Sequence, residues 1–252
     1  MIKERLEEEQ SFHDHRFDSD ENRKSLSKYY SVRIRIAERR FDILSKCCNG
    51  KKVLEYGCGS GTGSERLLKL GAILTGIDIS NEGIRKARER RKKSQYKADY
   101  LVMNAEKTDF DDDTFDVAVG LGILHHLDLP KAYGELCRVL KKDGHAIFEE
   151  PLGHNPFINF YRIVTPALRT SGEHPLKKGD IELLRKYFHN VEVEYFTLVT
   201  LLAVPFRKMF FFKRLYYFLE KIDRTIFVAS FIRKYAWTVI IHASHPKKEI
   251  LL

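Results

Sequence analysis

The sequence of 252 residues predicts an α/β fold in which a mostly parallel sheet is covered by helices on both faces. Short, continuous apolar runs alternate with longer segments of helical periodicity, which is the pattern of successive βαβ units. A glycine-rich loop follows the first apolar run, in the stretch VLEYGCGSGTGS of residues 53–64. An acidic residue, Asp78, lies near the end of the second run. These three observations place a ligand site at the carboxyl edge of the predicted sheet.

Residues 1–50 are predicted to form an N-terminal helical cap. The first positions are polar, and between Ser27 and Cys48 the apolar residues recur at helical spacing. These residues are Tyr30, Ile34, Ala37, Phe41 and Leu44.

Residues 51–150 contain five of the seven predicted strands, at 53–56, 73–80, 100–103, 115–121 and 145–150. Helices are predicted between them at 63–70, 82–93 and 130–140. The sequence KKDG of residues 141–144 is predicted to be a turn before the fifth strand.

Residues 151–252 are predicted to complete the same single domain. Residues 151–178 contain four prolines and no clear period, and we expect them to border the acceptor pocket. A helix is predicted at 180–188, and strands at 191–199 and 236–243. A helical insertion of about residues 201–235 precedes the last strand.

This insertion is both aromatic and basic. Residues 205–235 include seven Phe, three Tyr and eight basic residues. Arg207, Arg214 and Lys221 are seven positions apart, so we expect them to share one helical face. This pattern is typical of a helix at an anionic membrane surface, and also of the wall of a substrate pocket or of a homodimer interface. Those three interpretations remain open at this point.

Composition predicts a soluble globular protein with 43% hydrophobic residues, 31% charged residues and a net charge of +9. The four cysteines form no CxxC pair, so we expect reduced thiols in the cytoplasm and no zinc pattern. No signal peptide or membrane-spanning run is predicted, and peripheral association would place the protein at the inner membrane face. We predict no metal site, because the acidic run 109–113 fits a solvated turn.

Three kinds of glycine loop were weighed for residues 57–63. A phosphate-binding loop needs a lysine after its last glycine, and none follows here. The dinucleotide fingerprint needs a third glycine where Thr62 stands. The observed pattern is E-x-G-x-G-x-G, starting at Glu55. Asp78 suits a ribose diol in either nucleotide class, so it does not discriminate between them.

Three later blocks of sequence discriminate between these kinds of nucleotide site. They read NAEKTDF at 104–110, DDDTFDVAVGLGILHHL at 111–127 and RVLKKDGHAIFEEP at 138–151. In this order the sequence resembles the class I S-adenosylmethionine-dependent methyltransferases, specifically the type 11 family that includes ubiquinone and menaquinone enzymes. The resemblance is close over residues 50–150. It implies a Rossmann-like, seven-stranded sheet, S-adenosylmethionine (SAM) as cofactor and S-adenosylhomocysteine (SAH) as product.

The resemblance also implies the cofactor-binding residues. The loop around the methionine part of the cofactor would consist of Glu55, Gly57, Cys58, Gly59 and Gly61. The remaining cofactor contacts would be Tyr30 as a lid, Asp78 at the ribose, Ile79 on the adenine, Asn104, Ala105 and Glu106 at the adenine edge, and Leu121 and Gly122 beside the sulfonium.

The sequence identifies the methyl acceptor and the general base less closely than the cofactor-binding residues. A base is needed only if the acceptor must lose a proton, and His125, His126 and His154 are candidates. His174, Glu149 and Glu150 are predicted near the same pocket.

The preferred function is methyl transfer to a small or lipid-like metabolite. An RNA methyltransferase and a non-catalytic SAM-binding protein are the alternatives, although the fourth-strand motif LGILHH lacks the NPPY-like pattern of base methylation.

Overall fold

The computed structural model describes residues 2–18, 29–165, 170 and 172–251. Part of the predicted N-terminal cap, residues 19–28, lies outside them, as do parts of the proline-rich segment. The seven strands are β1 (Lys52–Tyr56), β2 (Ile73–Asp78), β3 (Ala98–Val102), β4 (Phe115–Leu121), β5 (Leu140–Pro151), β6 (Phe188–Phe196) and β7 (Thr238–Pro246).

The sheet has the order β3-β2-β1-β4-β5-β7-β6. All neighbouring strands are parallel except β7, which is antiparallel to both β5 and β6. The order reverses at β1, so β2 and β4 flank it on opposite sides, and a crevice forms at the carboxyl ends of these strands. The predicted seven-stranded Rossmann-like fold is confirmed.

The described helices are α1 (Ile2–Asp18), α2 (Ile34–Cys47), α3 (Ser64–Lys69), α4 (Asn81–Lys92), α5 (Leu129–Val139), α6 (Pro156–Val164), α7 (Lys178–Tyr187), α8 (Phe212–Ile226) and α9 (Ser230–Arg233). Their starts follow local chemistry. Ser80 caps α4 because its hydroxyl accepts a hydrogen bond from Gly83 N at 2.9 Å. Asn155 caps α6 in the same way through Ile158 N at 3.0 Å.

The two faces of the sheet carry separate hydrophobic clusters. Leu54 and Tyr56 of β1 point to the face covered by α5 and α7. Val53 points to the opposite face, which α2, α3 and α4 cover. This alternation follows from the two-residue period of a strand. Each fully buried Leu or Ile contributes about 1.5–3 kcal/mol to folding, so both clusters support the core.

The insertion between β6 and β7 packs as a third cluster. A 3₁₀ segment, Val199–Phe206, lies against α8, and Val32, Ala203 and Tyr216 are buried between them. Arg207 lies before the first residue of α8, so the expectation of one helical face for Arg207, Arg214 and Lys221 is wrong for Arg207. Arg214 and Lys221 are both on α8.

One further prediction is corrected by the structure. Residues 141–144, predicted as a turn before the fifth strand, lie within the bounds of β5. They have no partner on β4, because Phe115 pairs with Leu140 and Val117 pairs with His145, so they form an irregularity in the ladder. The predicted N-terminal cap contains the helix α1, for which no bounds were predicted because the segment has no apolar stripe.

Candidate active site

A cavity of about 760 Å³ opens at the carboxyl ends of β1, β2, β4 and β5, beneath α1 and α2. Most of the predicted site residues line it. They are Tyr30, Glu55, Gly57, Cys58, Gly59, Asp78, Ile79, Asn104, Ala105, Glu106, Leu121, Gly122, His125 and His126. Gly61 and His154 do not line it. Gly61 forms a turn against Ala87 and Tyr100, and His154 is exposed outside the cavity.

The glycine loop needs its glycines for both conformation and space. Gly57 and Gly59 have φ angles of 65° and 51°, in the left-handed region that side chains with a Cβ avoid. A Cβ on Gly57 would stand 2.9 Å from Ile123 Cδ1, and one on Gly59 would stand 2.7 Å from Phe17 Cζ. The bare backbone therefore forms a close cradle at the cavity floor.

Asp78 joins the tip of β2 to this cradle. Its Oδ2 accepts a hydrogen bond from Gly59 N at 2.8 Å, and its Oδ1 accepts one from Ser80 N at 2.9 Å. Burial raises the pKa of Asp78, while these two backbone donors lower it. Each carboxylate oxygen keeps a further lone pair, so the residue can still accept hydrogen bonds from a diol in the cavity.

Two glutamates and two arginines form the wall on the α2 side. Glu149 is 2% exposed and pairs with Arg33 and with Arg40 at 3.3 Å, whereas Glu55 is half-buried. Burial raises the pKa of Glu55 to about 7, against the lowering effect of a hydrogen bond from Ser64. Neither arginine was predicted from the sequence. Arg33 is the N-cap residue of α2 and Arg40 lies two turns further on, so their spacing of seven positions was the available signal.

His125 and Glu150 form a buried dyad on the acceptor side. His125 Nδ1 lies 2.7 Å from Glu150 Oε2, and Glu150 Oε1 accepts from Ile123 N at 2.8 Å and from Leu124 N at 2.9 Å. Burial lowers the pKa of His125 to about 4, so the imidazole is neutral at pH 7. With Nδ1–H donated to the carboxylate, Nε2 keeps a lone pair that can accept a proton.

The helix α1 covers the cavity above the ends of β2 and β3. Gln10 Nε2 donates to Ile79 O at 3.0 Å, and Arg5 donates to His126 O at 3.0 Å and pairs with Glu106. Asp14 accepts a hydrogen bond from Glu82 N at 3.0 Å. The helix α1, called the lid below, therefore attaches to the predicted adenine-side residues through polar contacts.

Glu9 is the buried residue of this lid. Burial opposes its ionisation, but the adjacent imidazoles of His126 and His13 and a hydrogen bond from Thr170 outweigh burial and lower the pKa of Glu9. The side-chain atoms of Glu9, His13 and His126 that could ligate a metal lie within 4.8 Å of one another, as do those of His125, His126 and Glu173.

The acidic run at 109–113 is exposed, and Asp112 and Asp113 pair with Arg138 and Lys248, each at 2.7 Å.

Aromatic side chains form the outer wall of the cavity. Tyr29 packs edge-on against Tyr161 and Trp237, with ring centroids 5.3 and 6.0 Å apart. Arg162 of α6 pairs with Glu173 at 2.7 Å, so its charge is balanced at the same wall. The same cavity is therefore lined by apolar rings and by His125.

Comparisons with known proteins agree with this geometry. Residues 54–148 match the protein family described as a methyltransferase domain. The chain is 35% identical over 140 residues to the ubiquinone biosynthesis O-methyltransferase of Idiomarina loihiensis, a match that covers 55% of this chain and 56% of that protein. The chain thus spans about half the length of the curated relatives that it matches.

Solved structures show the same fold at lower identity. A Haloferax volcanii methyltransferase, solved in complex with the Trm112 methyltransferase activator, superposes with a TM-score of 0.64 at 16% identity, covering 93% of this chain and 98% of that one. Haemonchus contortus phosphoethanolamine N-methyltransferase 2, bound to S-adenosylhomocysteine, has a TM-score of 0.60 at 20% identity, covering 83% of this chain and 53% of that one.

Proposed function

We propose that this chain, whose residues 54–148 form a class I methyltransferase domain, transfers a methyl group from SAM to a small, apolar or lipid-like metabolite. One observation carries the proposal. A single cavity joins a bare glycine cradle with a carboxylate at the next strand tip to an aromatic wall that bears a neutral histidine. The first half suits a nucleoside cofactor, and the second half suits an apolar acceptor.

We assign the cofactor half of the cavity to SAM. Asp78 would accept hydrogen bonds from the ribose diol, and the loop after β3, with Asn104 and Glu106, would border the adenine. Arg33 and Arg40 offer cationic partners for a carboxylate at the methionine end. SAM supplies an activated methyl group on a sulfonium, so the chain mainly has to align the acceptor and exclude water.

On the acceptor side, His125 is the residue best placed to hold a proton. Its neutral imidazole would take the proton of a hydroxyl acceptor at Nε2, and Glu150 would stabilise the resulting imidazolium. The imidazole of His126 lies against Glu9, with Nδ1 3.2 Å from Glu9 Oε2, and His154 lies outside the cavity. These positions favour His125 over the two other candidates.

Calorimetry with SAH tests the cofactor assignment. We expect SAH to bind and NADH not to bind. Asp78→Asn should weaken SAH binding about tenfold or more, since one acceptor oxygen is lost. Asp116→Asn is the matched control, because Asp116 also accepts from a backbone N–H, that of Lys52, at the opposite end of the sheet. Binding of NADH in place of SAH would contradict the proposal.

Labelling with SAM that carries a radioactive methyl group tests the acceptor class. Wild type and His125→Gln are incubated with a lipid extract and, separately, with total RNA. We expect label in the lipid extract, reduced by the variant. Label confined to RNA would assign the activity to the RNA methyltransferase alternative, and no label in either, despite SAH binding, would favour a non-catalytic role.

We also propose that the acceptor side of the protein contacts an anionic membrane surface. The helix α6 supports this, because Ile158 and Tyr161 line the cavity while Phe160 and Ile163, 67% and 76% exposed, point outward. Other large apolar side chains are exposed on the insertion, namely Phe206, Met209, Phe210, Phe218, Val228 and Phe231. Exposure of this many large apolar side chains favours an interaction surface.

Basic residues accompany these apolar side chains. Arg207, Arg214 and Lys221 are exposed on the insertion, where they would meet anionic headgroups. Among the described residues, no helix is both long and apolar enough to cross a bilayer. A peripheral contact would let a lipid-like acceptor pass along α6 into the cavity.

Vesicle flotation tests this contact. We expect wild type to float with vesicles that contain anionic lipid, and the triple change of Arg207, Arg214 and Lys221 to Glu to abolish flotation. Phe160→Ser with Ile163→Ser should weaken it. The control changes Lys92, Lys93 and Lys97 to Glu, the same change of net charge on α4 and the segment after it. Equal loss in the control would show that net charge alone drives the binding.

A further inference from the structure

Three side chains with metal-ligating atoms meet outside the cavity, on the sheet face that α2 covers. Cys47 is the last residue of α2, His145 lies on β5, and His242 lies on β7. The sulfur and one nitrogen of each imidazole all lie within 4.8 Å of one another. None of these three residues lines the cavity described above.

The sheet register brings the two histidines together. His145 pairs with Ser244 and Ile147 pairs with His242, so the histidines are diagonal neighbours on the same face. Ile147 belongs to the hydrophobic cluster beneath α2, and Cys47 packs at the edge of that cluster. The Cys47 thiol, on α2, therefore lies over the two histidines of β5 and β7.

We propose that Cys47, His145 and His242 bind Zn²⁺. One thiolate and two imidazoles are a ligand set that zinc accepts in tetrahedral sites. Zinc–nitrogen bonds of about 2.0–2.1 Å place two ligand nitrogens about 3.4 Å apart in a tetrahedron. His145 Nδ1 and His242 Nε2 are 3.0 Å apart, so a small separation of the rings would admit the ion between them.

A carboxylate lies next to this set. Glu192 is directly opposite His242 in the β6–β7 ladder and is exposed on the same face. It can occupy the fourth position of a zinc ion or accept a hydrogen bond from a coordinated imidazole, as carboxylates commonly do around zinc. This set could not be predicted from the sequence, because about a hundred positions separate each member from the next and no local motif contains them.

The site would join α2 to the β5–β7 pair. This helix carries Arg40, and its amino end carries Arg33, both of which pair with Glu149 inside the cavity. Zinc at the opposite end of α2 would hold the helix in place by a bond at the sheet and so stabilise the folded state by mass action. The inference is independent of the methyl acceptor.

Cobalt substitution provides a direct test, because a thiolate bound to Co²⁺ gives a charge-transfer absorption that oxygen and nitrogen ligands do not give. The full-length chain, freed of any affinity tag and of metal, is titrated with Co²⁺ and then with Zn²⁺. We expect a charge-transfer band that saturates at equimolar Co²⁺ and is displaced by Zn²⁺. Cys47→Ser should abolish the band, and His242→Gln should weaken Co²⁺ binding about tenfold or more.

Cys137→Ser is the matched control, since Cys137 is a buried thiol that donates to Tyr187 O on the other face of the sheet. It should leave the band unchanged. The groups around His126 contain no thiol, so metal bound there gives no such band. Absence of the band in the wild type, or its persistence in Cys47→Ser, would overturn the inference. Zn²⁺ should also raise the melting temperature of the wild type and not that of Cys47→Ser.

Discussion

At Gly59 the absence of a Cβ both permits a left-handed backbone and leaves room for the ring of Phe17. Substitution can separate these two effects. Gly59→Ala puts a Cβ 2.7 Å from the ring of Phe17 and strains a backbone with φ of 51°. Gly50→Ala is the matched control, because Gly50 has φ of 68° with nothing within 4 Å of the added carbon. We expect both variants to lose roughly 1–2 kcal/mol of unfolding free energy in denaturant titrations.

The two variants should differ in ligand binding. Only Gly59→Ala displaces Phe17 over the cradle, so only this variant should bind SAH about tenfold or more weakly by calorimetry. Equal SAH affinity in both variants would show that the close approach of Phe17 and the loop has no part in the cofactor site.

The half-buried carboxyl of Glu55 predicts an unusual pH dependence. Its folded-state pKa of about 7 exceeds the unfolded value of 4.5, so the native state binds the extra proton between these values. Stability from this group is present below about pH 4.5 and is lost as pH rises toward 7. Between pH 4.5 and 7, wild type should therefore lose roughly 3 kcal/mol of unfolding free energy relative to Glu55→Gln. Urea titrations of the ligand-free proteins at both pH values measure this difference.

A parallel pH trend in wild type and Glu55→Gln would contradict the assignment. Glu65→Gln provides the control, because Glu65 is an exposed residue of the neighbouring helix α3 and pairs with Lys69 on the surface.

At the scale of elements, one carboxylate holds the insertion together. Asp223 of α8 is 3% exposed and accepts hydrogen bonds from the backbone of Leu198 at 3.0 Å, Val199 at 2.6 Å and Thr200 at 3.1 Å. Asp223→Ala leaves these donors without their acceptor, so we expect a loss of about 3 kcal/mol or more. Asp223→Asn, which keeps one acceptor oxygen, should lose less. Limited proteolysis should cut first between residues 199 and 235, and cleavage confined to the sheet would contradict this assignment.

The sequence predicted the elements whose signals are local. The strands of the core alternate with periodic helices, so their order and approximate bounds could be deduced from periodicity, and Asp78 followed from its place at a strand end. The start of β5 could not be delimited, because the polar residues 141–144 resemble a turn and only the pairing of Leu140 with Phe115 extends the strand back beyond them. The bounds of α1 within the predicted cap could not be given for a related reason, since its contacts are polar and distant in sequence.

The same limit applied to the candidate site. The glycine cradle is contiguous and was found, whereas the partners of Glu149 and Glu150 depend on pairings between α2, β4 and β5 that no single segment encodes. His154 was predicted at the acceptor pocket because it lies in the proline-rich segment, but the chain turns after Pro151 and leaves His154 exposed.

At the scale of the whole molecule, the helix α1 is weakly held on the core. Of the α1 side chains whose burial is described, residues 4–18, only Glu9 is buried, and polar contacts such as those of Gln10 and Asp14 attach the helix to the core. Elements with so little apolar burial open locally at a low free energy. A ligand beneath α1 should therefore slow its opening, while the central strands already exchange only by global unfolding.

Hydrogen exchange followed by mass spectrometry tests this coupling. Saturating SAH should slow amide exchange in α1 and in residues 57–62, with little effect on β1, β4 and β5. Asp14→Ala removes the acceptor that joins α1 to Ser80 and Glu82, so it should speed α1 exchange and SAH dissociation together. Asp18→Ala, at the exposed end of the same helix, should change neither. If SAH left α1 exchange unchanged, the helix would not close over the cofactor, and residues of the strand ends alone would retain it.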